Sequence, residues 1–311
     1  MEIKEIEEIL PKELDADLKI LLEKLSLLIS DTISLGTHLM KWDADKGRAG
    51  DENTPPLLFL RNIIELGDAI SILIKNSSID PAKPLLRSLL ENTFGLEYML
   101  EKETEKRALS YLVWNTNRKL TFYRKLIGTS PSGQLFKKDI QSDKLLKESI
   151  DIFDNPIVLA AIKNSENHLK SDKYIPIEAE YRRTRAFLKR TPAWHALFDG
   201  PKNIEGLAKY LNRHAIYEIF YRSYSGNVHA TSVMERKLIP NTDGSVAIVQ
   251  IRYPEDAQSI TQSTFNILRI AYLSYFNNRV PEQSAAFIEM YNNLTETSNT
   301  LLKGNLIRIV N

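Results

Sequence analysis

Leu14, Leu18, Leu21, Leu22, Leu25, Leu28, Ile29 and Ile33 recur three and four residues apart between Glu13 and Met40. Only a helix turning every 3.6 residues gathers those side chains on one face, and so broad an apolar stripe has to be covered by other apolar surface. A chain that opens this way is directed toward helix-on-helix packing. Glycine supports that direction: there are 12 in 311 residues, well under the usual ~7%. Leu, Ile, Lys and Glu are abundant, which favours long helices over a turn-rich β architecture.

The helical period continues along the chain. "KWDADKGRAGDENT" interrupts it with charge and glycine near residue 50, which marks a loop and a boundary. Residues 1–50 are therefore read as an N-terminal helical extension and 51–311 as a helical core domain. Pro55 and Pro56 can open the next helix. Asp80 followed by Pro81 predicts an N-cap and first helical position for "KPLLRSLLENTFGLEYMLEK". Another helix is expected over Glu105–Ile127, closed by Gly128. Further helices are expected over Glu178–Arg190, Asn203–Asn212, Ala215–Val228, Ala257–Asn278 and Glu282–Lys303. In "MERKLIPNTDGSVAIVQIRY" the period changes, and a central "NTDG" flanked by β-prone residues signals a hairpin. The expected fold class is all-α, mainly a helical bundle, with one small β-hairpin near 235–253.

Charge and cysteine content narrow the function classes. Forty-one basic and 40 acidic residues leave a net charge of +1, so any attraction to nucleic acid has to come from a local patch. The absence of cysteine removes disulfides, thiolate metal sites and cysteine nucleophiles. The acidic N-terminus lacks the basic and apolar regions of a signal peptide. No apolar run approaches the ~18–20 residues that span a bilayer. The expectation is a cytoplasmic protein without a membrane partner.

Familiar motifs are mostly missing. "GTSPSGQ" spaces its glycines like a phosphate-binding loop but lacks the lysine and Ser/Thr that hold phosphate and Mg²⁺. There is no HExxH and no GxSxG. His214 and Glu218 stand four apart, but two ligands do not make a metal site, so no metal or cofactor is expected. "YRRTRAFLKR" places Arg182, Arg185 and Lys189 on one helix face, which suits either phosphate contacts or a solvated, acid-paired surface. Arg87 and Glu91 lie four apart in the otherwise apolar "PLLRSLLEN", where a partly buried charge needs a partner. They either pair structurally or position a ligand.

"YRSYSGNVHA" (221–230) concentrates the remaining chemistry. On a continuous α-helix Arg222, Ser225 and His229 share a face. An imidazole can move a proton near neutral pH, and a guanidinium can steady charge on a phosphorane. A plain helix end with hydrogen-bonded polar residues accounts for the same letters.

The arginine, six residues and histidine of "RSYSGNVH" resemble the R-x4-6-H motif of HEPN (higher eukaryote and prokaryote nucleotide-binding) proteins. In the order "LLRSLLEN", "PAWHALFDGPKNIEGLAKYL", "IYEIFYRSYSGNVHAT", the chain also looks like a bacterial family of helical proteins known chiefly as a domain of unknown function and sometimes associated with phage-defence loci. The likeness runs roughly from Pro55 to Asn278, with key positions Arg87, Glu91, Trp194, Tyr221, Ser225 and His229. HEPN ribonucleases are helical, often dimeric and metal-independent. The resemblance implies a toxin or phage-defence endoribonuclease with His229 as general acid/base and Arg222 as phosphate stabiliser. It also implies RNA or a nucleotide as ligand, a homodimer, and a partner protein from the same locus. Ser223 replaces the Asn, Asp or His usual after the arginine, and Gly226 interrupts the motif. A non-catalytic nucleotide- or effector-binding sensor, or a helical interaction protein, therefore remains open.

Overall fold

The computed structural model describes residues 9–11, 14–147, 152–228, 237–240, 246–304 and 306–307. In chain order the helices are α1 (Ala16–Asp45), α2 (Thr54–Lys75), α3 (Ile79–Glu101), α4 (Thr104–Tyr123), α5 (Pro131–Ser142), α6 (Pro156–Leu169), α7 (Ile175–Leu188), α8 (Ile204–Tyr210), α9 (His214–Ile216), α10 (Ser225–Val228), α11 (Ala257–Arg279) and α12 (Ser284–Leu301). The strands β1 (Leu238–Pro240) and β2 (Val246–Ile248) pair antiparallel, with Leu238 opposite Ile248. The fold is mainly helical. Among the described residues, no helix is long and apolar enough to cross a membrane.

Several boundaries differ from the sequence expectation for physical reasons. α3 begins at Ile79, not after an Asp80 cap. Pro81 still falls in the first turn, where a missing N–H costs nothing, and Asp80 instead accepts a hydrogen bond from Lys83 Nζ at 2.8 Å. α4 stops at Tyr123 and tightens into a 3₁₀ turn over Arg124–Leu126. Gly128 then donates its N–H to Asp154 Oδ1 at 3.0 Å instead of capping the helix. The continuous α-helix expected over Ala215–Val228 is interrupted: α9 leads into a π-wound turn at Tyr217–Arg222, a hydrogen-bonded turn at 223–224, and then α10.

The chain forms two compact units: residues 1–49, 56–102 and 204–311 make the first, and residues 50–55 and 103–203 the second. In the first, α11 packs along both α3 and α1, and α12 lies against α1. Leu22, Leu25, Leu28, Ile29, Leu35 and Leu39 of α1 are buried, so the later members of the leucine stripe are core. Gly36 sits where a Cβ would strike the Tyr272 ring, which lets α11 approach α1 closely. In the second unit α4 packs against α6, α7 and the turn at Trp194–Asp199, over a core that includes Val113, Leu120, Ile177 and Tyr181.

A buried polar knot fastens the ends of α1 and α11. The Asp43 carboxylate, 2% exposed, accepts from Arg279 Nη2 at 2.9 Å and Arg279 Nε at 3.0 Å, the guanidinium being 8% exposed. It also accepts from the Tyr275 hydroxyl at 2.5 Å and Arg48 Nε at 3.0 Å. Lys46 and Arg48 both donate to the Arg279 carbonyl, at 2.6 and 2.8 Å. Burial alone raises the Asp43 carboxyl, but the Tyr275 and Arg279 donors outweigh it and hold the group below its ordinary value. Removing one member of such a knot strands a buried charge. Arg279→Ala should therefore lose ~3–5 kcal/mol in urea unfolding. Lys41→Ala, which breaks only the exposed Lys41–Asp45 pair, should change stability by less than about 1 kcal/mol.

Candidate functional site

α3 carries a polar edge on an apolar helix. Leu86, Leu89 and Leu90 are buried around Arg87, so its guanidinium, 15% exposed, cannot rely on water. It finds Tyr221: Nη2 donates to the phenolic oxygen at 2.7 Å, and Cζ lies 4.2 Å from the ring centroid. Glu91, 44% exposed, stands 3.6 Å from Nη2. Arg87 Nε is buried and has no hydrogen-bond partner among the described residues. Burial pushes the Tyr221 phenol up to about 12, with Arg87 pulling it down and Glu91 adding to the rise.

The π-wound turn presents Tyr221 to α3. Tyr217 and Tyr221 stack with centroids 4.9 Å apart and planes at 20°, and His214 stacks on Tyr217 at 5.9 Å and 16°. Imidazole, phenol, phenol and guanidinium thus form one continuous column. Further along α3 the matching repeats. Glu97 accepts from Arg213 Nη2 at 2.9 Å, and Glu101 accepts from the Tyr210 hydroxyl at 2.7 Å. Burial raises the Glu97 carboxyl even though Arg213 pulls it down.

Arg222 belongs to the same turn but faces solvent, 63% exposed, with Nη1 3.3 Å from Glu218 Oε1. Ser225 opens α10, which packs against α3. The 100°-per-residue count that sets Arg222, Ser225 and His229 on one face does not apply across a π turn, and His229 lies outside the described residues. Ser223, the unusual residue after the arginine, donates its hydroxyl back to the Ile219 carbonyl at 2.6 Å.

The remaining expected site residues belong to the second unit. Arg182 pairs with Glu178 at 2.8 Å. With Arg185 it lines a cleft of about 300 Å³ that also includes Arg124 and Lys170. Lys189 is the C-cap of α7, in the left-handed conformation, and is not among that lining. Trp194 is buried, its ring edge-on to Tyr111 at 5.7 Å.

The sequence assigned no site role to Glu205, Tyr217 or Glu180. Asn212 adopts φ +56°, a conformation asparagine tolerates, and the chain turns there between α8 and α9. That asparagine in "YLNRH" was the available signal that Glu205 and His214 would meet. Glu180 gave only part of its signal locally: Arg183 and Thr184 lie three and four residues on, but its third partner is the backbone of a distant loop. It accepts from Arg183 Nε at 2.7 Å, Thr184 Oγ1 at 2.8 Å and the Phe198 N–H at 2.7 Å. It thereby holds the "WHALFDG" segment, where Phe198 and Asp199 both have positive φ.

A mainly helical protein with a π-wound turn clasped to a charged edge of α3 is the class this geometry defines. The chain belongs to a family of unknown function, DUF5677, whose profile matches residues 53–245. That span begins within two residues of the expected start and includes α3, the Trp194 turn and the π turn, but ends before Asn278. Among curated proteins and solved structures, none matches the chain.

Arg183, then the Phe198 and Thr184 donors, hold the Glu180 carboxyl at about 2 despite burial, against an ordinary 4.5. A depressed folded value means stability that is complete above the unfolded value and lost as pH falls toward the folded one. Glu180→Gln should be less stable than wild type by roughly 3 kcal/mol at pH 7. Urea unfolding across pH should show that gap closing between about 4.5 and 2; a gap independent of pH would refute this account of Glu180.

Proposed function

We propose that the protein binds the phosphate of a ribonucleotide, free or within RNA, at Arg87 and the adjoining π-wound turn. The observation that carries this reading is the buried Nε of Arg87, which has no hydrogen-bond partner among the described residues. A buried arginine donor without an acceptor is costly, and an anionic oxygen would discharge that cost. The planar guanidinium suits phosphate, which it can grip through two parallel N–H groups. Glu91, half-exposed and only loosely paired with Arg87, can yield to a stronger anion. Arg222 on the same turn supplies a second, solvent-facing cation.

A second reading adds chemistry: a metal-independent endoribonuclease of the HEPN-like toxin or phage-defence type. Arg222 would steady charge on the phosphate and His229 would move the proton. What favours it is the exposure of Arg222 one residue from the Tyr221 contact. If His229 takes no part, the same site is a nucleotide-binding sensor.

Fluorescence anisotropy with a labelled single-stranded RNA and thermal shift with nucleotides separate these readings. Arg87→Ala should weaken binding about tenfold or more, a loss of ~1.4 kcal/mol or greater. Arg87→Lys should recover only part of it, because lysine lacks the fork. Unchanged affinity in Arg87→Ala would sink the binding proposal. For the ribonuclease reading, wild type should cut RNA in EDTA and His229→Ala should not. RNA left whole while Arg87-dependent binding persists identifies a non-catalytic binder.

A further inference from the structure

The cluster contains a second convergence that phosphate binding at Arg87 does not use. Glu205 in the first turn of α8, His214 at the start of α9 and Glu218 in the π turn bring one ligand atom each to within 4.8 Å of one another. His214 Nε2 lies 3.3 Å from Glu218 Oε1 and 3.7 Å from Glu205 Oε1. That nitrogen is sealed from solvent and has no hydrogen-bond partner among the described residues.

A protonated imidazole between two carboxylates would be the simplest alternative. Such a charge-assisted bond draws in to about 2.7–2.9 Å with good alignment, and neither contact here does so. Glu205 already has a close cation of its own, Lys209 Nζ at 2.6 Å from Oε1, whereas Arg222 Nη1 stands from Glu218 Oε1 at the same 3.3 Å as His214. What is left is an imidazole nitrogen with no hydrogen-bond partner among the described residues, facing two carboxylate oxygens. One nitrogen and two oxygens form a donor set for first-row divalent ions. Bonds of about 2.0–2.2 Å to one ion set neighbouring ligand atoms roughly 3–4 Å apart, which is the spacing His214 keeps from both glutamates.

We propose that Glu205, His214 and Glu218 bind one divalent transition-metal ion, of the Zn²⁺ or Mn²⁺ class. Lys209, on Glu205 Oε1, and Arg222, 3.3 Å from both Glu218 oxygens, then serve as outer partners that share these carboxylates with the ion. The stack of Tyr217 on His214 fixes the imidazole plane. Three protein ligands leave a coordination position for water or a ligand oxygen. This site does not depend on the Arg87 proposal, since the ion can bind without any nucleotide.

The test uses the full chain, stripped with EDTA and dialysed, titrated calorimetrically with Zn²⁺ and Mn²⁺ in the absence of RNA. One saturable equivalent should bind and raise the melting temperature, and Co²⁺ in its place should give visible ligand-field absorption. His214→Ala should abolish that absorption and weaken binding about tenfold or more, with far-UV circular dichroism unchanged. Should His214→Ala fail to fold, Glu205→Gln on the short helix α8 is read in the same way. No saturable binding by wild type, or equal binding by a folded variant, overturns the proposal. Neither result bears on anisotropy with RNA, so the two proposals fail separately.

Discussion

A guanidinium set into an apolar helix face has to be answered by some other part of the chain, and Arg87 is answered by Tyr221. One phenol supplies both a hydrogen-bond acceptor and a ring face, which together offset much of the loss of water around a mostly buried cation. Tyr221 reaches that position from a turn wound wider than an α-helix, with Tyr217 and His214 stacked behind it. Arg213 and Tyr210 extend the same matching down the edge of α3. The wide turn, the ring stack and the Arg87–Tyr221 contact form one continuous arrangement on α3.

Much of the fold was legible because helical periodicity is a local signal. The leucine stripe of α1 and the two closing helices needed nothing beyond spacing. The need of Arg87 for a partner was also legible, since it follows from charge in an apolar context; Glu91, expected to share that need, is exposed. The partner's identity was not, because Tyr221 stands 134 residues further along the chain. The π turn was invisible for a different reason: every face count over 217–229 assumed 3.6 residues per turn. The departure of the chain from the first unit after residue 102 and its return at 204 depend on contacts between distant segments, which periodicity does not encode.

The family match, 53–245, includes both halves of the Arg87–Tyr221 contact, and Glu205, His214 and Glu218 as well. It leaves out α1, α11 and α12, which share the first unit with α3. The clasp and the Glu205–His214–Glu218 cluster therefore sit within the family's matched span, whereas the Asp43–Arg279 knot lies outside it. Within that unit, the knot fastens long helices to each other and the clasp ties the π turn to α3.

The central claim is that the buried Nε–H of Arg87 is a donor awaiting an anionic oxygen. Its side-chain resonance in a ¹H–¹⁵N spectrum, assigned by its disappearance in Arg87→Lys, reads that donor directly. On titration with a ribonucleoside phosphate the Arg87 Nε–H proton should move downfield and exchange more slowly with water. A resonance that stays in place at saturating ligand would contradict the account.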